Sequence, residues 1–145
     1  MTTISRNALV PYTAREMYLL VDDIPAYPQF LPWCKHAEEM SRDADAVTAR
    51  LELSHSGLEK SFTTKNRLQS DKMIEMRLVE GPFKHLQGFW CFEALGESAC
   101  KVTLDMDFEF SSRLVGMAMG PVFGKAANTL VDAFCKRAED VYGKR

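Results

Sequence analysis

The sequence predicts an α+β fold in which one antiparallel sheet wraps a long C-terminal helix. Between residues 34 and 110, apolar and polar side chains alternate with a period of two, which is typical of strands with one buried face. Short turns separate these segments, so neighbouring strands should pair antiparallel. Over residues 111–142 the apolar spacing changes to the helical period, and no other segment is long enough to cover the sheet.

Composition indicates one globular domain over residues 1–145, because 46% of the residues are hydrophobic and 26% are charged. The net charge of −2 gives no overall attraction for nucleic acid, and we expect no DNA partner. We find no signal sequence and no apolar run that reaches the ~18 residues of a membrane span. The four cysteines lie far apart without a C-x-x-C pair, so we expect a cytoplasmic protein with reduced thiols.

The N-terminal part is predicted to contain one strand and two short helices. Thr2–Val10 is β-prone and is followed by a proline. Thr13 and Glu16 have the spacing of a capping box, which predicts a helix from Ala14 to about Asp22. Residues 25–33 contain three prolines among aromatic residues, so we expect no more than one short helical turn there.

Five further strands are expected from alternating apolar positions within residues 47–53, 62–68, 74–78, 86–92 and 102–110. The turn signals between them are Ser56-Gly57, Ser70-Asp71, Gly81-Pro82 and residues 96–98. The face that points into solvent should carry side chains that can pair across strands, namely Lys65, Arg67, Arg77, Asp105, Asp107 and Glu109.

The C-terminal helix is predicted to bury one stripe, formed by Val122, Ala126, Leu130, Ala133, Phe134 and Val141. Its first part is weak, because interior glycines such as Gly116 and Gly120 each cost a helix up to ~1 kcal/mol relative to alanine. Pro121 predicts either a kink or the start of a second helix. Arg137 lies near the stripe, and we expect its stem to run along apolar surface towards water.

Catalytic patterns are absent or weak, and we expect neither a catalytic residue nor a metal ligand. The histidines His36, His55 and His85 lack the spacing of a metal site. There is no nucleophile elbow and no P-loop. The acidic run over residues 105–109 falls on the outward face of its strand, which favours a solvated surface over an acid/base pair. His36 or His85 would serve as acid or base only if it faced a cavity.

Soft and aromatic side chains are abundant, with eight methionines and nine phenylalanines. Methionine adapts its shape to apolar ligands, and ligand pockets are mostly apolar with a few polar groups. Thr64 and Asn66 fall on the inward phase of their strand and are candidates for such polar groups. The residues expected to meet between sheet and helix are Phe30, Trp33, Phe62, Met76, Trp90, Met106, Phe108, Phe110, Met117, Met119, Phe123 and Leu130. The same residues would also fill a solid core, and the pattern leaves both interpretations open.

Five segments together resemble the coenzyme Q-binding START-like proteins, which are close to the polyketide cyclase/dehydrase group. The segments are Ile4-Ser5-Arg6, YPQFLPW at 27–33, KSFTTKNRL at 60–68, LVEGPFKHLQGFWCF at 78–92 and DFEF at 107–110. The resemblance covers essentially the whole chain. It implies a helix-grip fold with six or seven strands and an elongated apolar cavity beneath the C-terminal helix. The family has no common catalytic set.

The resemblance implies two functions. Mitochondrial members bind ubiquinone and support respiratory electron transfer, whereas bacterial members of the ribosome-association toxin type bind the large ribosomal subunit and block its joining with the small one. We expect the first function, without a required cofactor and with transient membrane contact, and keep the second as the alternative. A cyclase or aromatase is a weaker third alternative. By position in the fold, the ligand contacts implied are Phe30, Leu31, Pro32, Trp33, Val115, Met119 and Phe123. The candidates for RNA contact are Lys65, Arg67, Lys136 and Arg137.

Overall fold

The structure is a computed structural model that describes residues 1–145 and contains seven strands and two α-helices. The strands are β1 (Thr2–Val10), β2 (Cys34–Arg42), β3 (Ala46–His55), β4 (Leu58–Gln69), β5 (Met73–Glu80), β6 (Phe83–Ala94) and β7 (Cys100–Phe110). The helices are α1 (Ala14–Asp22), a short 3₁₀ helix (Ile24–Gln29) and α2 (Arg113–Tyr142).

All strands belong to one antiparallel sheet with the order β1-β7-β6-β5-β4-β3-β2. Strands β2 to β7 form a meander, and β1 pairs with the last strand, from Thr2 opposite Phe108 to Val10 opposite Cys100. The helix α2 lies on the sheet side that holds the buried side chains. The predicted α+β class, with a sheet wrapped around the C-terminal helix and two short helices after the first strand, is confirmed.

Helix α1 begins as its sequence predicts. The Thr13 hydroxyl accepts a hydrogen bond from the Glu16 N–H at 3.1 Å, and the Glu16 carboxylate accepts one from the Thr13 N–H at 2.9 Å. This reciprocal pair satisfies two backbone donors that a helix start otherwise leaves unpaired.

Strand β2 does not follow the alternation expected between residues 34 and 110, although it is one of the seven strands. Only Cys34 and Ala37 are buried among its nine residues, and two irregularities interrupt its register with β3. An edge strand that carries charge and bulges is protected against pairing with other chains. The same protection removes the periodic signal that would predict it.

The buried stripe of α2 differs from the prediction. It consists of Met119, Phe123, Ala126, Ala127, Val131, Phe134 and Ala138. Val141 was expected in the stripe but is 49% exposed, and Val122 is only half-buried. The phase was ambiguous because apolar side chains occur on both sides of the first part of the helix, so the sequence gives no polar face to fix its rotation.

Pro121 does not start a new helix, because α2 runs through it as one element of 30 residues. The alternative of a second helix beginning at Pro121 is therefore wrong. Pro121 has no N–H to donate to the carbonyl of Met117, and both residues are exposed, so water can satisfy that carbonyl. At the start of the helix, the Ser112 hydroxyl accepts a hydrogen bond from the Val115 N–H at 3.1 Å.

The C-terminal end of α2 is attached to α1 by a group of polar contacts. Arg145 donates two hydrogen bonds of 2.7 Å to the two carboxylate oxygens of Glu16. The hydroxyl of Tyr142 donates to the Glu16 carbonyl at 3.0 Å, and that of Tyr12 donates to the Gly143 carbonyl at 2.6 Å. The Arg145 guanidinium also lies over the Tyr12 ring at 5.1 Å. This end of the helix is therefore held in place by charge, hydrogen bonds and aromatic contact.

Candidate functional site

An apolar cavity of about 70 Å³ lies between α2 and the inner face of the sheet. Helix α2 makes its closest backbone approach to β1, β7 and α1, which leaves this space on the side of β3 to β6. The lining residues are Ile24, Tyr27, Trp33, Ala49, Leu51, Phe62, Thr64, Asn66, Met76, Leu86, Trp90, Met106, Phe123, Ala126, Ala127, Leu130 and Phe134. An engineered apolar cavity of about 150 Å³ holds benzene, so the present volume accommodates only a small group without movement.

Aromatic rings close the cavity at both ends of its helical wall. Phe123 packs edge-on against Phe62, Phe83, Phe108 and Phe110, with ring centroids 4.8–6.0 Å apart. One helical segment further on, Phe134 packs edge-on against Tyr27, Phe30 and Trp90 at 5.2–5.5 Å. Such edge-to-face pairs add stability beyond the area they bury. These contacts fix the orientation of the rings, so the cavity walls have a defined shape.

Two polar side chains lie on the sheet wall of this otherwise apolar cavity. Thr64 and Asn66 are each less than a tenth exposed, and the Thr64 hydroxyl donates to Asn66 Oδ1 at 2.8 Å. No protein group accepts a hydrogen bond from Asn66 Nδ2, and Asn66 belongs to the cavity lining. A ligand that covers this donor without accepting a hydrogen bond from it would lose about 1–3 kcal/mol. The cavity therefore offers a hydrogen-bond donor to whatever fills it.

Three other polar groups belong to the lining. The Tyr27 hydroxyl is already committed because it donates to the Val21 carbonyl, and the indole N–H groups of Trp33 and Trp90 can only donate. Burial raises the pKa of Tyr27, so the hydroxyl stays protonated. No histidine, carboxylate, lysine or cysteine lines the cavity. His36 is exposed beside Glu38, and His85 lies opposite Glu109 on the sheet. The site is therefore built to hold an apolar group and offers little for proton transfer.

The sheet wall contains a flexible side chain that owes its place to a glycine. Met76 lies directly opposite Gly88 in the β5–β6 register, and a Cβ at Gly88 would come within 2.7 Å of the Met76 Cε. A side chain at position 88 would therefore push the flexible end of Met76 out of its present position. Met76 and Met106 both line the cavity, and methionine can change rotamer at low cost to admit a ligand.

Trp33 separates the cavity from a groove on the surface. The groove measures about 710 Å³ and runs between the Leu31–Trp33 segment and the side of α2 from Pro121 to Lys136. Trp33 and Ala126 line both spaces. Trp33 is half-buried, and Ala126 presents only a methyl group, so the indole is the larger of the two side chains between the cavity and the groove.

The structure places the candidate ligand-binding residues in four different positions. Nine of them line the cavity: Trp33, Phe62, Thr64, Asn66, Met76, Trp90, Met106, Phe123 and Leu130. Leu31 and Pro32 line the surface groove instead. Phe108 stands behind Phe123 at 4.8 Å, and Phe30 stands behind Phe134 at 5.2 Å. Met119 is buried and Val115 is half-buried near the start of α2, and neither reaches the cavity.

Met117 is placed wrongly by the sequence prediction, because it is 71% exposed rather than turned between sheet and helix. Sequence reasoning also missed lining residues, among them Ala49, Leu51, Leu86 and Phe134. Each of these lies on the predicted inward phase of its strand or helix, and that phase is the signal that would have found them. The alanines carried no chemical signal of their own.

The four candidates for RNA contact do not form one surface. Lys65 and Arg67 alternate with the cavity-facing residues of β4 and so project from the opposite face of the sheet. Lys136 lies on α2 beside the groove. Arg137 donates a hydrogen bond of 2.9 Å to Gln29 and lies over the Phe30 ring at 5.0 Å. This contact explains a charged residue beside the buried stripe and occupies its guanidinium.

The fold and the lined cavity place the protein in a defined class. A family model described as polyketide cyclase / dehydrase and lipid transport matches residues 10–135, and the chain belongs to this family. The resemblance seen in the sequence is thus confirmed. Among named relatives, the chain is similar to the ribosome association toxin RatA of Pseudomonas aeruginosa, with 47% identity over 98% of this chain and 99% of that one.

Two more distant proteins are also similar to this chain, one in sequence and one in structure. The mitochondrial coenzyme Q-binding protein of Schizosaccharomyces pombe is 25% identical over 92% of this chain and 84% of its own. The Zhui aromatase/cyclase from Streptomyces sp. R1128 superposes with a TM-score of 0.83 at 17% identity, covering 99% of both chains. The latter likeness concerns the fold alone. No helix of the present structure has the length and hydropathy needed to cross a membrane.

Proposed function

We propose that the protein binds, without catalysis, a hydrophobic ligand with a carbonyl group at its head, of which ubiquinone is the leading candidate. The observation that carries this proposal is the unpartnered Asn66 amide on the wall of an apolar cavity. A quinone oxygen accepts hydrogen bonds but donates none, so it complements that N–H group, and the surrounding apolar walls suit the ring. Support for respiration would follow from this binding.

The size of the cavity sets a condition on binding. A space of about 70 Å³ is too small for a substituted quinone ring, so the ligand must displace side chains on entry. Trp33, which adjoins the groove, and Met76, which adjoins Gly88, are the groups best placed to move. An isoprenoid chain would then leave through the groove past Leu31 and Pro32.

Binding is favoured over catalysis by the content of the lining. A cyclase or aromatase needs groups that transfer protons, and the polar groups of the cavity are one amide, one threonine, two indole N–H groups and one tyrosine whose hydroxyl is engaged. We therefore propose a binding protein that acts in the cytoplasm and needs no resident cofactor.

Intrinsic tryptophan fluorescence can monitor ligand binding in the cavity, because both tryptophans of the chain, Trp33 and Trp90, line it. Titration with a short-chain ubiquinone should therefore quench tryptophan fluorescence in a saturable manner. The variant Asn66→Leu, of similar volume but without a donor, should bind about tenfold more weakly. Lys65→Ala, which changes the neighbouring outward-facing residue, is the matched control and should bind as the wild type does.

Absence of saturable quenching, together with absence of any quinone in solvent extracts of the purified protein, would refute the proposal. Equal affinity of Asn66→Leu and the wild type would leave quinone binding in place but remove the assigned hydrogen bond.

A second function, association with the large ribosomal subunit, is favoured by a different observation. The Pseudomonas relative, at 47% identity over nearly the full length, carries the name of a ribosome association toxin. We propose that binding to this subunit hinders its joining with the small one. Adding the purified protein to ribosomal subunits should lower the joined fraction in a sedimentation gradient, and an unchanged fraction at excess protein would count against this function. If Asn66→Leu lowers the joined fraction less than the wild type does in the same assay, the cavity contributes to the effect on the ribosome.

A further inference from the structure

The outward face of the first half of α2 is apolar. Leu114 is 75% exposed and Met117 is 71% exposed, and Ala118 and Pro121 are exposed beside them. Residues three and four apart lie on the same side of a helix, so these four form one continuous surface, which we call the front face. Eleven consecutive residues, 114–124, carry no charge.

The same segment is also apolar on its inner side, where Met119 and Phe123 are buried. A helix that is apolar all round is normally enclosed on all sides. The second half of α2 has no such excess, because its outward positions include Lys125, Asn128, Asp132, Lys136 and Glu139. The front face is thus a local feature of the first three turns.

A neighbouring turn lies next to the start of the front face. The Ser111 N–H donates to the Pro82 carbonyl at 2.9 Å, which brings the β5–β6 turn close to the start of α2. Large apolar side chains that are exposed on neighbouring turns of one helix, such as Leu114 and Met117, mark a site of interaction.

The charges around the front face are cationic. Arg113 and Lys125 stand at the two ends of the uncharged segment, and Lys84 follows Phe83, whose ring stacks on Phe110 at 5.2 Å just before the helix. All three are exposed and none takes part in an ion pair. Glu80 is the acidic residue of the adjoining turn. Apolar side chains bordered by free cations are the pattern of a segment that lies in a membrane interface.

We propose that the front face docks onto a lipid bilayer containing anionic lipids. Leu114, Met117 and Pro121 enter the boundary between headgroups and acyl chains, and Arg113 and Lys125 contact the anionic headgroups. This orientation brings the part of α2 that carries Phe123, a cavity residue, to the surface in which apolar ligands dissolve. The glycines of this segment permit the small adjustments that such contact requires.

The experiment is co-sedimentation of ligand-free protein with vesicles of phosphatidylcholine, with and without about one quarter phosphatidylglycerol. The wild type should bind the anionic vesicles, and binding should weaken with added salt. The double variant Leu114→Ser with Met117→Ser should bind at least about tenfold more weakly. Leu9→Ser is the matched control, since Leu9 is 70% exposed on the outward side of β1, away from α2.

A second pair of changes, Arg113→Gln with Lys125→Gln, should lower affinity for anionic vesicles by about tenfold or more while leaving the apolar contact intact. The proposal is overturned if the wild type fails to bind anionic vesicles, or if the serine pair binds as well as the wild type. It is also overturned if the wild type instead forms a concentration-dependent dimer that the serine pair abolishes. The vesicle experiment uses protein without quinone. A failure to bind vesicles can therefore be distinguished from a failure to bind quinone in the titration.

Discussion

The two halves of α2 differ in how they are held, although both bury one side against the same sheet. Residues 125–142 have a polar outer side and end in contacts with α1 through Tyr142 and Arg145. Residues 113–124 contain three glycines and Pro121, and their outer side is apolar. The two segments therefore differ in backbone propensity and in the presence of an anchor. From these two differences we expect residues 125–142 to be the firm half of the helix and residues 113–124 to be the adaptable half.

The largest expected effect comes from the core of the firm half. Phe134 is 1% exposed and packs on Tyr27, Phe30 and Trp90. Phe134→Ala should lower the free energy of unfolding by about 3–5 kcal/mol, because it removes these contacts and enlarges the adjoining cavity. Urea denaturation measures the change. Val141→Ala, on the outer side of the same half, is the control and should cost no more than about 0.5 kcal/mol; similar losses in both would contradict the assigned stripe.

The anchor of the firm half predicts a pH dependence. Hydrogen bonds from Arg145, then from the Thr13 N–H, lower the pKa of Glu16 from 4.5 to about 2. A depressed pKa in the folded state stabilises the fold above the unfolded-state pKa, and this contribution is lost as pH falls from about 4.5 towards 2. Water reaches this pair, because the Arg145 side chain is 42% exposed, so Glu16→Gln should cost about 1 kcal/mol at neutral pH. Thermal unfolding of both proteins should show this difference shrinking below pH 4.5, and a constant difference would exclude the ion pair as its cause.

The adaptable half should become firmer when its glycines are replaced. A Cβ at Gly124 meets no atom within 4 Å, and one at Gly120 only reaches Phe110 Cε2 at 4.0 Å. Gly120→Ala with Gly124→Ala should raise the free energy of unfolding by about 1–2 kcal/mol. Hydrogen exchange should slow in residues 113–124 and remain unchanged in residues 125–142. Slower uptake of ubiquinone by this variant would show that residues 113–124 take part in ligand entry. A lower free energy of unfolding would contradict the proposed difference between the two halves.

The smallest expected effect on stability belongs to the front face. Leu114 is 75% exposed, so Leu114→Ser should change the free energy of unfolding by no more than about 0.5 kcal/mol. Urea denaturation of this variant beside the wild type tests that value. A loss of more than about 1 kcal/mol would mean that Leu114 packs against the protein in solution, and the front face would then be part of the core.

Much of the fold could be predicted from the sequence, because alternation and turn chemistry act locally. The Ser56-Gly57 turn has positive φ at both residues, as the short hairpin between β3 and β4 requires. The capping box of α1 is likewise a contact between residues three apart. Strand β2 escaped prediction because its edge position and bulges replace periodic burial with charge.

The candidate site was predicted in part, for a physical reason. The inward phase of β4 places Thr64 and Asn66 on the cavity wall, and alternation alone fixes that placement. The orientation of α2 could not be fixed, because its first half is apolar on both sides, and Met117 was therefore assigned to the wrong side. The anchor between Arg145 and Glu16 joins residues far apart in the chain and leaves no periodic trace.

The four cysteines have a practical consequence for measuring movement in α2. None lines the cavity, and burial raises the pKa of all four thiols, in Cys34 and Cys100 to about 11. At neutral pH these thiols are protonated, and alkylating reagents react with thiolates. A cysteine introduced at the exposed position of Met117 would therefore be the preferred target for a maleimide dye, without prior removal of the native cysteines. The fluorescence of that dye would report directly on the adaptable half of the helix.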